Sequence, residues 1–101
     1  MGKMGQVLDR TGGLMDSRMA RAAAGDLRVC FDLGIAYAAG GDGVEVDLIE
    51  AYKWFSLAAI DGSPRAEEWR AELADEMSAR EILEAQRRAR AWLQLTARRA
   101  A

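Results

Sequence analysis

Three acidic residues in a short glycine-rich stretch are the first candidates for chemistry in this sequence. Asp42, Glu45 and Asp47 stand within GGDGVEVD, and carboxylates are ligands that Ca²⁺ prefers. Their spacing does not follow the EF-hand loop, and Asp47 directly precedes an apolar periodic segment, where an aspartate can cap a helix. We therefore prefer a structural role for these acids and predict no metal site.

Catalytic and cofactor motifs are the next features to consider. The sequence has no histidine and one cysteine, Cys30, so it lacks the commonest general base and cannot assemble a cysteine-based zinc cluster. It contains neither a Walker A motif nor a GxGxxG fingerprint. We therefore expect no catalytic residue and no cofactor. Because Cys30 lies between Val29 and Phe31, we expect a buried, reduced thiol.

The three tryptophans, Trp54, Trp69 and Trp92, could in principle form an aromatic cage for a cationic ligand. Each lies on or beside an apolar stripe with helical spacing, so packing in the core is the preferred interpretation. Four acids could likewise be imagined as an acid/base cluster, but a solvated helix face explains them better; they are Glu67, Glu68, Glu72 and Asp75.

A basic C-terminal segment provides the main alternative. Residues 78–101 carry six arginines and two acids, whereas residues 27–63 carry two basic and six acidic groups. The arginines are Arg80, Arg87, Arg88, Arg90, Arg98 and Arg99. Such a helix could bind an anion or a nucleic acid through phosphate contacts. The acidic pI of about 5.1 and the nearby Glu81 and Glu84 argue against nucleic acid, so protein binding is preferred.

Periodicity predicts an all-α chain. β-branched residues are few and do not alternate, and apolar residues recur every three or four positions. The predicted helices cover residues 17–24, 27–39, 48–60, 64–75 and 78–97. Residues 1–15 contain four glycines and are predicted to form a flexible N-terminal arm. Residues 16–101 are predicted to form a single helical domain.

Capping residues support these boundaries. Asp47 with Glu50, and Ser78 with Glu81, have the spacing of capping boxes, and Ser63 precedes Pro64 at a favoured first helical position. The other predicted caps and stops are Asp16 or Ser17, Asp26, Gly25, Gly40 and Gly62. Within the second helix, Gly34 lies on the apolar face, so we expect another helix to approach closely there.

An ordered set of small, aromatic and glycine residues runs through the middle of the chain. Its members are Leu33, Gly34, Tyr37, Gly40, Gly43, Val44, Asp47, Ala51, Trp54, Phe55, Ala58, Ala59, Gly62 and Ala66. The spacing of this set resembles the Sel-one-like repeat (SLR), a relative of the tetratricopeptide repeat (TPR). Two departures are Val29 at the leading small position and one extra residue between Gly40 and Val44. Only one repeat, at about residues 29–66, is recognisable.

The resemblance implies TPR/SLR-like antiparallel helical hairpins, a fragment of an α/α superhelix, followed here by a longer C-terminal helix. Proteins of this family usually serve as scaffolds or adaptors, and the shared positions are mainly packing positions. Because a single repeat cannot bury its apolar face alone, flanking helices or another subunit would complete it. A homo-oligomer is one form of this arrangement.

We therefore predict a non-enzymatic protein-binding module, a small adaptor or accessory subunit whose partner is another protein. The predicted contact residues are Tyr37, Tyr52, Trp69, Arg87 and Arg88, chosen for their expected exposure. No apolar run approaches the ~20 residues needed to span a bilayer, and the N-terminus lacks the apolar core of a signal peptide. The expected location is the cytoplasm.

Overall fold

The computed structural model describes the backbone of residues 2–100 and the side chains of residues 13–97. Within this backbone there are five α-helices, one short 3₁₀ helix and no strand, so the predicted all-α class is confirmed. The elements are α1 (Gly2–Ala23), the 3₁₀ helix (Leu27–Val29), α2 (Cys30–Ala39), α3 (Leu48–Ile60), α4 (Pro64–Glu76) and α5 (Ala79–Ala100). None of the described helices is both long enough and apolar enough to cross a membrane.

Helix α1 begins earlier in the chain than the predicted N-cap residues indicate. Asp16 and Ser17 were expected to start a helix, but they lie well inside α1. The capping preference of Asp16 and Ser17 does not decide where α1 begins. Packing outweighs it, because Met15 and Ala22 are buried against the rest of the core. The predicted flexibility of residues 1–15 stays a prediction, since residue 1 and the side chains of residues 2–12 lie outside the described part.

The starts of the later helices follow the predicted caps. The Ala66 amide donates to Ser63 Oγ at 3.2 Å at the start of α4. At the start of α5, the Glu81 amide donates to Ser78 Oγ and the Ser78 amide donates to the Glu81 carboxylate, which completes a capping box. Gly40 ends α2 in the left-handed conformation, with φ of 74°, where glycine avoids the strain of a side chain.

Helix α3 is the centre of the molecule. It packs against α2, α4 and α5, and every residue from 51 to 58 is buried. The sequence predicts an apolar stripe along one face of α3. In the structure, other helices cover the middle of α3 on all sides, so Lys53 and Ser56 are buried as well. The two polar residues therefore require partners within the protein or in a ligand.

Helices α2 and α3 approach each other closely at Gly34. A Cβ atom placed on Gly34 would lie 2.6 Å from the Phe55 ring, which is closer than real atoms approach. A close approach at Gly34 is therefore present, although the atoms nearest to it belong to the Phe55 side chain and not to the expected backbone. Cys30, one turn earlier on α2, is fully buried, and burial raises the pKa of its thiol to about 12.

Candidate functional site

An aromatic cluster joins α2, α3 and α4 and reaches the surface at Trp69. The Phe55 and Trp69 rings stack with their centroids 6.0 Å apart, and the Phe31 centroid is 5.6 Å from that of Phe55. The Arg65 guanidinium carbon lies 4.9 Å from the centre of the Phe31 ring. We call Phe31, Arg65 and Trp69 the aromatic patch. Its tryptophan is held by Phe55 yet remains 37% exposed.

The start of α4 positions two members of this patch. Ser63 caps the helix and Pro64 occupies its first turn, so the direction of α4 is set immediately before Arg65. Arg65 and Trp69 are four residues apart and therefore lie on the same side of the helix. Trp69 was predicted from the sequence as a contact residue, whereas Phe31 and Arg65 were not. The four-residue spacing was visible in the sequence, but the packing against α2 was not.

The two tyrosines predicted as contact residues are less available. Tyr37 is half-buried, and its pKa is raised by burial and by the nearby Glu50 and Asp47 carboxylates. Tyr52 is only 8% exposed, so the exposure expected for it is wrong. The Arg70 guanidinium carbon lies 5.9 Å from the Tyr52 ring centre. Tyr52 is therefore buried in the middle of α3 and does not lie at the surface.

The two predicted contact arginines are engaged in ion pairs with Glu84. Arg87 Nη2 is 2.7 Å from the Glu84 carboxylate, and Arg88 Nε makes a second contact of 2.7 Å with it. Hydrogen bonds from Arg87 and then Arg88 lower the pKa of Glu84 to about 2, and the same pairing raises the pKa of both arginines. Arg87 remains largely exposed, whereas Arg88 also reaches inward.

A partly buried ionic network connects α3 with α5. Glu50 was expected to complete a capping box with Asp47, and the Glu50 amide does donate to Asp47 Oδ1 at 3.1 Å. However, the Asp47 amide donates to the carbonyl of Tyr37, and the Glu50 carboxylate instead contacts Lys53 at 3.3 Å and Arg88 at 2.9 Å. The predicted box is therefore wrong on the glutamate side. Long-range pairing with Arg88 accounts for this difference.

Two of the tryptophans enclose this lysine. The rings of Trp54 and Trp92 meet edge to face with centroids 4.9 Å apart, and Lys53 Nζ lies 4.2 Å from the Trp54 ring and 5.0 Å from the Trp92 ring. Trp69 contacts Phe55 instead. An internal ammonium thus already occupies the two aromatic faces, which favours core packing over an external cation cage. The position of Lys53 between the two indole rings was not predicted from the sequence, because a lysine is rarely buried.

Two acids of the glycine-rich loop, Asp42 and Asp47, have structural partners. Asp42 pairs with Arg18 of α1 at 2.7 Å, and Asp47 caps α3. Among the residues with described side chains, no three His, Cys, Asp or Glu side chains are grouped as a metal ion would require. The partners of Asp42 and Asp47 account for both residues without a calcium ion.

The arginines of α5 divide into two groups. Arg87 and Arg88 form ion pairs. Among the described side chains, Arg80 and Arg90 form none. Arg98 and Arg99 lie outside the residues whose side chains are described. The basic helix face is therefore partly neutralised by acids of the same protein, which weakens the argument for phosphate contacts along its whole length.

Comparison of the chain with protein family models, with curated proteins and with solved structures gives no significant match. The resemblance to the SLR family therefore stays a prediction.

Proposed function

We propose that the chain is a non-enzymatic protein-binding module, a small adaptor or accessory subunit that contacts another protein through the aromatic patch. The observation that carries this proposal is a tryptophan that is fixed by stacking yet exposed. Trp69 offers over a third of its surface to solvent while Phe55 holds its ring. Tryptophan and arginine are enriched among the residues that contribute most to binding energy, and a ring already held in place loses little entropy on binding.

The surroundings of Trp69 indicate what such a partner would present. Glu68 and Glu72 are exposed on the same helix, close to Trp69 in sequence, and neither makes an ion pair among the described side chains. Arg65 lies four residues before Trp69 on α4, and its guanidinium lies over the Phe31 ring of α2. A complementary partner would therefore have an apolar pocket for the indole and basic groups near its rim.

The helical arrangement is compatible with the adaptor role that the SLR resemblance implies, since α2 and α3 form an antiparallel pair around the matching residues. Completion of the single repeat by a second copy of the chain is one form of the proposal. A cytoplasmic location is part of it as well, because a lone, buried thiol such as Cys30 is suited to a reducing compartment.

The test compares wild-type protein with a Trp69→Ala variant and with Leu83→Ala as the matched control. Leu83 is 63% exposed on α5 and lies outside the aromatic patch. Each tagged full-length protein is crosslinked gently in cells of the native host, and captured proteins and nucleic acids are quantified in parallel. We expect Trp69→Ala to reduce the captured partner at least ~10-fold, while Leu83→Ala leaves it unchanged.

Circular dichroism provides the folding control, and a second variant strengthens the test. Arg65→Ala removes the guanidinium of the patch without removing the stack between Trp69 and Phe55, so it should also reduce capture. A homotypic crosslink lost in both patch variants would identify the partner as a second copy of the chain. Equal capture by all four proteins, or recovery of nucleic acid without any protein, would overturn the proposal.

A further inference from the structure

A cavity of about 350 Å³ lies between α3, α4 and α5 and opens to solvent. Its volume falls within the ~300–1,000 Å³ range of small-molecule sites. We call it the α3–α5 cavity. The residues that matter for its chemistry are Ser56 and Ile60 of α3, Arg70 of α4, and Gln86, Arg90 and Leu93 of α5.

The charges around the cavity are of one sign. Of the residues whose side chains are described, only Arg70 and Arg90 carry a charge in its lining, and none that lines it is a carboxylate. Among the described side chains, neither arginine forms an ion pair, in contrast to Arg87 and Arg88, which share Glu84. Guanidinium groups bind carboxylate and phosphate through paired hydrogen bonds. Two such groups without acidic partners therefore favour an anionic ligand.

Ser56 provides an independent observation at the same place. It is only 9% exposed, and its Oγ has no hydrogen-bond partner among the described residues. Leaving a buried hydroxyl unsatisfied is unfavourable, so such a group calls for an explanation. A hydroxyl hydrogen can rotate to donate to an oxygen that reaches it, and the Gln86 amide provides a further donor in the lining.

We propose that the α3–α5 cavity binds a small organic anion, whose carboxylate or phosphate head lies between Arg70 and Arg90 and whose short apolar tail contacts Ile60 and Leu93. The tail follows from the lining, because Ile60 and Leu93 present apolar surface beside the two cations. Ser56 lines the same cavity as the two arginines. This inference does not depend on protein binding by the aromatic patch.

The first experiment measures binding to the full-length protein by isothermal titration calorimetry with four probes. Hexanoate and hexyl phosphate carry both a head and a tail, 1-hexanol carries the tail without the charge, and inorganic phosphate carries the charge without the tail. We expect binding of hexanoate, hexyl phosphate or both, at least ~10-fold tighter than the binding of 1-hexanol and inorganic phosphate. The relative affinities of the first two probes distinguish a carboxylate from a phosphate ligand.

The second experiment uses matched variants of α5. Arg90→Gln removes a cation from the cavity, and Arg80→Gln removes one from the same helix outside it, so both change the net charge equally. We expect Arg90→Gln to weaken binding at least ~10-fold and Arg80→Gln to leave it within ~2-fold. Ser56→Ala should weaken binding while leaving the melting temperature of the free protein unchanged or higher, because it removes an unsatisfied buried hydroxyl.

Four outcomes would overturn the inference. They are the absence of binding for both amphipathic anions at millimolar concentration, equal affinity for 1-hexanol, equal affinity for inorganic phosphate, and equal weakening by the two arginine substitutions. The last would indicate general attraction to a basic helix rather than a site. Loss of capture in Trp69→Ala has no bearing on these measurements, so this inference and the proposed function fail separately.

Discussion

The side of α3 that faces α2 and the side that faces α5 differ in what they bury. Toward α2, the Phe55 ring lies directly against Gly34 and contacts Phe31. Toward α5, the contacts include Lys53, its partner Glu50 and the indole rings of Trp54 and Trp92. One side is closely fitted and apolar, whereas the other combines apolar rings with buried charge.

The polar groups on the α5 side are also incompletely satisfied. Among the described side chains, Trp54 Nε1, Trp92 Nε1 and Ser56 Oγ are buried without a hydrogen-bond partner. The α3–α5 cavity opens on this same side. A closely packed interface maximises dispersion contacts, while unsatisfied buried polar groups cost stability and call for an explanation. The α2 side therefore mainly maintains the fold, whereas the α5 side contains the polar groups and the cavity on which the proposed ligand site depends.

Truncation of Phe55 should have the largest effect on stability. Phe55→Ala removes a fully buried ring that contacts α2 and α4, and we expect a loss of about 3–5 kcal/mol in the free energy of unfolding. Urea denaturation followed by circular dichroism measures it. The adjacent Ser56→Ala is the matched comparison, since it should be neutral or stabilising. Similar losses for both variants would contradict the proposed difference between the two sides.

Enlargement of Gly34 should have the next largest effect. Because a Cβ atom at Gly34 would lie 2.6 Å from the Phe55 ring, Gly34→Ala forces α2 and α3 apart or displaces the ring. Overpacking of this kind costs about 1–3 kcal/mol, which outweighs the helix propensity gained by alanine. Gly13→Ala is the control, since a Cβ there meets no atom within 4 Å. An unchanged melting temperature for Gly34→Ala would show that the close fit is not needed.

The features that could be predicted from the sequence depend on residues close together in the chain. Asp47, Ser63 and Ser78 cap helices where expected because each side chain bonds to an amide three residues away. Gly34 was also interpretable, since a glycine on an apolar helix face leaves room for a neighbour. The Glu84–Arg88 pair follows from four-residue spacing in the same way.

The features that could not be predicted depend on distant partners. The carboxylate of Glu50 bonds to Arg88, 38 residues away, rather than to its own helix start. Burial of Lys53 and Tyr52 follows from the position of α3 between three helices, which no local pattern encodes. The cavity residues Ser56, Arg70 and Arg90 come from three helices, so their grouping arises only when the chain is folded.

Substitutions of the charged residues between α3 and α5 test how much these residues contribute to stability. Glu50→Gln leaves Lys53 buried without a carboxylate, and we expect a loss of roughly 1–2 kcal/mol in the free energy of unfolding. Lys53→Met should cost less, because a flexible apolar chain can pack between the two tryptophans and Glu50 keeps Arg88. Urea denaturation of both variants tests the order, and a larger loss for Lys53→Met would show that the ammonium itself stabilises the core.

The smallest expected effect is a pH dependence at the surface of α5. Hydrogen bonds from Arg87 and Arg88 lower the pKa of Glu84 from its ordinary 4.5 to about 2. A carboxyl whose pKa is lower in the folded state contributes stability above pH 4.5 and loses it as the pH falls toward 2. The stability difference between wild-type protein and Glu84→Gln should therefore shrink between pH 4.5 and 2. A difference that stays constant over this range would mean that the arginines hold Glu84 no more tightly in the folded chain than in the unfolded one.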